Sequence, residues 1–127
     1  MINPVETSIR VRYAETDGQG VVHHANYMTY FELGRIEHLR ANGMVYSEFE
    51  ANGHFLVVAN LECKYMAPIR FDDEIILRTN LVDHSRVKLI HTYQALRDEQ
   101  IMAEAKTVIV CVDREGKVTR VPEKLIC

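Results

Sequence analysis

Hydrophobic positions along the chain follow two different spacings, with Gly53 as the divide. Before it, Ile9, Val11 and Tyr13 alternate with Arg10 and Arg12, the period-two pattern of a half-buried strand. From about Ala25 to Asn42 the spacing becomes helical. Tyr27, Met28, Tyr30, Phe31 and Gly34 form a broad face, and Leu33, Ile36 and Leu39 spread beyond it. A helix apolar over most of its circumference is expected to be wrapped by other structure rather than to lie on a surface. Gly43 fits a helix C-cap. Glu32 and Arg35 have the i,i+3 spacing of a pair on the polar side. Val45 to Ala51 predicts a short second helix, ending at Asn52-Gly53.

After Gly53 the pattern is that of strands. His54 to Met66 is one, bounded by Pro68, and Glu74 to Val82 and Arg86 to Arg97 are two more around an Asp83-His84-Ser85 turn. Ile101 to Val112 is another, followed by an Asp113 to Gly116 turn and a short Lys117 to Val121 piece. Strands of ~10 residues exceed the usual length of ~5–6. Long antiparallel strands following one long helix predict an α+β chain, with helices on one face of a strongly curved sheet of about five strands. No repeat, low-complexity tract or linker interrupts the pattern, and residues 1–127 are expected to form a single domain.

Composition narrows the classes. The chain is 47% hydrophobic and 26% charged, ordinary for a soluble globular protein. A formal charge of −3 argues against a general nucleic-acid binder. No apolar run approaches the ~20 residues of a membrane span and no secretory signal leads the chain, so the cytoplasm is the expected compartment. Cys63, Cys111 and Cys127 are too few and too far apart for a disulfide framework or zinc ribbon and are expected to be buried free thiols. Cys63 shares strand parity with Val57, Ala59, Leu61 and Tyr65. The six histidines show no ligand-type spacing, so no metal is expected. His91, in parity with Val87, Leu89 and Tyr93, is expected to be a hydrogen-bonded core histidine.

The richest stretch chemically runs from Tyr13 to Tyr27, with Asp17 leading a Gly18-Gln19-Gly20 loop and His24 just ahead of the helix. Glycines let a loop turn tightly with its amides exposed, and a helix start leaves unpaired N–H groups with a partial positive charge. A carboxylate facing such a donor cluster suits acyl transfer, in which an oxyanion develops. An aspartate before glycine is also a common turn residue, so capping is the competing role for Asp17. His24 could equally cap the helix or bond Asp17, and Tyr13 could be a core aromatic sharing a face with Ile9 and Val11.

The pattern Tyr13-x3-Asp17-x2-Gly20-x-Val22-x-His24-x2-Tyr27-x2-Tyr30, with Glu32 and Arg35 following and Lys64-Tyr65-x2-Pro68 later, resembles the hotdog-fold acyl-CoA thioesterases of the 4-hydroxybenzoyl-CoA thioesterase class. The likeness is greatest to the small bacterial enzymes found with the Tol–Pal envelope proteins. The resemblance implies a long central helix wrapped by the curved sheet, and no cofactor. It implies that Asp17 is the catalytic carboxylate, acting as nucleophile or as base on water. A backbone amide at His24 would donate to the thioester oxygen, and the His24 side chain and Tyr13 would be active-site residues. The family usually has tyrosine where this chain has His23, which bears on the acyl pocket or the loop conformation. Glu32 and Glu37 matter because other hotdog thioesterases carry their carboxylate on the central helix.

Tyr27, Tyr30, Phe31 and Phe55 are the acyl-pocket candidates, and Gly20, Val22 and His23 are also expected to bind substrate. CoA carries phosphates, so its site needs cations, and Lys64, Arg70, Arg86 and Lys88 are the candidates, partly from a neighbouring subunit. An exposed strand edge invites pairing, and the resemblance implies edge-to-edge dimers that pair again, so a homotetramer is expected, with a dimer as the minimum. The rival reading is a non-hydrolytic module binding acyl-CoA or acyl-carrier protein, and a hydratase is a third. A thiolate leaves readily (thiol pKa ~8.5), so one carboxylate and an oxyanion hole could suffice for hydrolysis.

Overall fold

The period-two segments pair into an antiparallel five-stranded sheet in the order β1-β3-β4-β5-β2. The strands are β1 Val5–Arg10, β2 Phe55–Tyr65, β3 Glu74–His84, β4 Lys88–Arg97 and β5 Gln100–Val112. Helix α1 spans Asn26–Ala41 and α2 Tyr46–Ala51. This computed structural model describes residues 4–125, so Cys127 lies outside the described residues. Among those residues no helix is long and apolar enough to cross a membrane.

Alternation decides the two faces of the sheet. Ile75 and Leu77 on β3, Tyr93 and Ala95 on β4, and Met102, Ala103 and Ala105 on β5 are buried against Tyr27, Tyr30 and Phe31 of α1. Phe31 stacks on Tyr93 with ring centroids 4.7 Å apart. A second cluster, Leu39, Met44, Phe49, Leu89, Ile109 and Cys111, closes the other end under α2. The opposite face is polar at its centre. Arg78 bonds Glu6 at 2.8 Å and Gln94 at 3.1 Å, and Glu104 stands opposite Lys64. A depression of about 590 Å³ lies in this charged band.

Several local expectations are corrected. Strand β1 ends at Arg10, and Tyr13 opens a 3-10 turn, Tyr13–Glu15, that carries its ring to the surface. It is 77% exposed, its ring edge-on to Phe71, and shares no face with Ile9 and Val11. Strand β3 runs through Asp83 and His84, so the turn falls at residues 85–87 and Arg86 precedes β4. Lys117 to Val121 forms a single bridge, Val112 to Val118, rather than a strand. A bulge between Val58 and Asn60 breaks the parity of β2, turning Val57 to the outer face while Leu61 and Cys63 pack on the core. Glu32 and Arg35 are not paired among the described residues; Arg35 donates instead to the Tyr93 hydroxyl at 3.1 Å, and Arg40 pairs with Glu37. Helix α1 keeps a solvent side, where Leu33 is 39% exposed. His91 is buried as expected, but its Nδ1 has no hydrogen-bond partner among the described residues.

Candidate active site

The segment between β1 and α1 folds as a tight hairpin. Thr16 bridges Val22, the Asp17 N–H donates to the Val21 carbonyl at 2.8 Å, and the Gly20 N–H returns to the Asp17 carbonyl at 3.0 Å. Gly20 holds φ +81°, open to glycine at little cost, which lets the four-residue turn close. The Asp17 carboxylate accepts the Gln19 N–H at 2.8 Å and the Val21 N–H at 3.4 Å through one oxygen, Oδ1. That is the capping role expected of aspartate before glycine. Its second oxygen makes no hydrogen bond among the described residues. One carboxylate thus shapes the loop and keeps an acceptor for chemistry.

Past the hairpin the chain enters α1 with no side-chain cap from the residue preceding it. The local contacts are made by His23. Its N–H donates to the Glu15 carbonyl at 2.9 Å, its carbonyl accepts the Asn26 N–H at 2.9 Å, and its ring Nδ1 accepts the Ala25 N–H at 3.1 Å. The capping role considered for His24 therefore belongs to His23, whose ring stacks on that of His24 at 4.2 Å. His24 does not bond Asp17 among the described residues, and its own N–H is left unpaired at the positive end of a helix.

His24 lines a slot of about 280 Å³ with Val21, Val22, Tyr27, Tyr65, Met66, Ala67 and Pro68. This is slightly below the ~300 Å³ lower range of small-molecule sites. The Tyr65 hydroxyl donates to the His24 carbonyl at 3.2 Å, and its ring meets Tyr27 edge-on at 4.8 Å. Partial burial and the neighbouring Cys63 push that hydroxyl up to about 12, so it stays a donor at neutral pH. Five slot residues, Val21, Tyr65, Met66, Ala67 and Pro68, were not among the site residues expected from sequence, although the Lys64-Tyr65-x2-Pro68 motif spans the last four.

The remaining candidates divide. Val22, His24 and Tyr27 meet at the slot, and Gly20 and His23 shape its hairpin. Tyr30 and Phe31 do not line it, being 3% and 1% exposed in the core. Phe55 opens β2 at the far end from Tyr65. Tyr13 is on the surface, away from the slot's lining. The four cations form no single patch. Arg70 bridges Val21 beside the hairpin, whereas Lys64 lies in the charged depression on the outer face. Lys88 stands opposite Val110, which faces Val57, eight residues along β2 from Tyr65. At ~3.3 Å per residue that is roughly 26 Å from the slot within one chain.

Comparison with known proteins identifies the family. Residues 11–126 match the thioesterase-like superfamily. The acyl-CoA thioester hydrolase YbgC of Escherichia coli O157:H7 is 33% identical over 106 residues, covering 83% of this chain and 79% of that protein. The crystal structure of an Aquifex aeolicus protein superimposes with a TM-score of 0.91 at 34% identity, covering 96% of each chain. The DHNA-CoA thioesterase of Staphylococcus aureus gives 0.89 at 28% identity, covering 92% of this chain and 80% of that one. With the match running from the end of the first strand through hairpin, helix and sheet, the chain belongs to the thioesterase-like superfamily and has its hotdog fold.

Proposed function

We propose that the protein hydrolyses acyl-CoA thioesters, releasing CoA and a carboxylic acid, with Asp17 as its carboxylate and the His24 N–H as an oxyanion donor. The observation that carries this reading is the pairing of two unspent groups on one short segment: the free oxygen of Asp17, bonded through its backbone to Val21, and the unpaired amide of His24. Val21 and His24 both line the slot. As the tetrahedral intermediate forms, charge grows on the former carbonyl oxygen, where a fixed amide dipole stabilises it more than it stabilises the substrate. If Asp17 acts as base, it takes a proton from water as water adds to the carbonyl. If it acts as nucleophile, a mixed anhydride forms and water then cleaves it. On either route the C–S bond breaks with CoA leaving as a thiolate, and no strong general acid is needed.

Of the four cations expected from sequence, Arg70 is the one bridged to the hairpin, and it is our candidate for a CoA phosphate. Edge-to-edge antiparallel pairing of β2 with β2 of a second copy would bring Lys88 of the partner subunit toward this chain's Tyr65 end. That supports a dimer as the working unit, assembled further into a tetramer, with the 127 residues of each copy acting as one catalytic domain. The free thiols of Cys63 and Cys111 fit a reducing compartment, and the cytoplasm is the expected one.

Asp17→Asn tests the reading cleanly, because an asparagine oxygen can still cap Gln19 and Val21. Free-thiol release from a panel of acyl-CoAs should fall about 100-fold or more, the scale of a lost catalytic group, with the melting temperature preserved. Wild-type turnover in the variant would remove Asp17 from the chemistry. Binding of CoA without turnover of any substrate by the wild type would favour the non-hydrolytic module.

A further inference from the structure

Glu15 is the one buried carboxylate among the described residues, 8% exposed, and the proposed mechanism does not use it. Its side chain accepts the Arg12 N–H at 2.8 Å, the Arg12 guanidinium at 2.9 and 2.8 Å, and the Tyr30 hydroxyl of α1 at 2.8 Å. Its backbone carbonyl accepts the His23 N–H at 2.9 Å and the Asn26 side-chain amide at 2.8 Å. Burial alone would raise this carboxyl, but the Arg12 amide, the Tyr30 hydroxyl and the Arg12 guanidinium together hold it below the usual carboxylate range. It is therefore charged at neutral pH. The segment just past β1, the base of the hairpin and the first two turns of α1 all meet on this one residue.

We propose that Glu15 and Asn26 are positioning residues that fix the His24 amide relative to Asp17 for the transition state. The bond inventory gives the reason. Around the start of α1 the His23, Ala25 and Asn26 N–H groups are all spent locally, on the Glu15 carbonyl, the His23 ring and the His23 carbonyl. His24 keeps its N–H because its neighbours are held in this way. The same Glu15 carbonyl that takes the His23 N–H is gripped from the helix by Asn26, so hairpin and helix cannot shift independently. A buried ionised carboxylate is expensive unless its bonds are satisfied. This one satisfies them with groups from both sides of the loop that carries Asp17.

The proposal rests on the hydrolase reading, so Asp17→Asn is measured beside Glu15→Gln, Asn26→Leu and Tyr30→Phe. Asn26→Leu and Tyr30→Phe each delete a bond to Glu15 while nearly preserving volume, and they keep the test open if Glu15→Gln does not fold. Folded clasp variants should lose about 10- to 100-fold in kcat, with KM within about threefold of wild type, the scale of a misplacement of about 1 Å. Two CoA analogues supply a readout that general loosening would not move. Affinity for a trifluoromethyl ketone analogue, which hydrates to resemble the tetrahedral intermediate, should fall by the same factor as kcat. Affinity for a thioether analogue lacking the carbonyl should hold. An Asn26→Leu enzyme with wild-type kcat, or equal losses for both analogues, would overturn the clasp while an inactive Asp17→Asn upheld the hydrolase. An active Asp17→Asn enzyme would instead overturn the reading beneath it.

Discussion

A Cβ added at Gly34 would stand 2.4 Å from Thr79 Oγ1 and 2.6 Å from Leu77 Cδ2, both fully buried on β3. Glycine lets α1 approach the sheet this closely. Gly34→Ala should therefore destabilise the fold by about 1–3 kcal/mol, the range for overpacking, despite the ~1 kcal/mol that alanine gains in helix propensity. The urea midpoint measures it, and an unchanged midpoint would mean the helix has room to move outward. The sequence put Gly34 on the apolar face correctly, but only the packing shows why a side chain is excluded there. Legibility at this scale tracks locality. Asp17 as a turn residue and Gly43 with φ +82° follow from their neighbours in the chain. Tyr13 on the surface and His23 as the capping ring depend on where the chain goes next.

At the scale of elements, α1 and β4 bury two histidines against each other. His38 and His91 are 1% and 3% exposed, with ring centroids 5.9 Å apart. Burial first, then His38 and Arg35, push His91 down to about 3, while Tyr93 stacks beside it. An unfolded histidine takes up a proton below about pH 6.5, and His91 does so in the folded protein only near pH 3. Between those values the unfolded chain binds more protons, so stability falls as pH is lowered, by up to ~1.4 kcal/mol per pH unit. Denaturation at pH 7, 6 and 5 should show this slope in the wild type and a shallower one in His91→Gln. Equal slopes would put the proton uptake elsewhere. The depressed carboxyl of Glu15 acts in the same direction at lower pH, its contribution being lost as pH falls through its folded value. Element types and approximate bounds were readable because each repeats its own spacing. The β2 bulge and the extension of β3 to His84 were not, because they depend on register with a partner strand.

For the whole molecule, β2 is an eleven-residue edge strand with no strand on its outer side among the described residues, and Val57, Val58 and Tyr65 are about half exposed. An edge this long and apolar is a template for another strand. Val58→Lys should shift the assembly toward monomer and reduce turnover by at least about tenfold, since the proposed site draws cations from a second copy and a buried lysine would oppose the pairing. Light scattering on the eluting protein checks it. An intact dimer with full activity would place the interface elsewhere. The roughly 26 Å between Lys88 and the slot along one sheet is the distance the proposed pairing would have to close.

What the sequence determined by itself was whatever depends on residues near in the chain: strand and helix periods, the tight loop with Asp17 ahead of two glycines, and the family pattern. Composition and spacing sufficed because backbone propensity and alternation act over a few residues. The tertiary structure alone decided which residues meet across the chain. It sent Tyr30 into the core to bond Glu15, brought Tyr65 onto His24 and scattered the expected cations. Those choices follow from strand register and from the requirement that buried polar groups find partners, and neither is encoded locally.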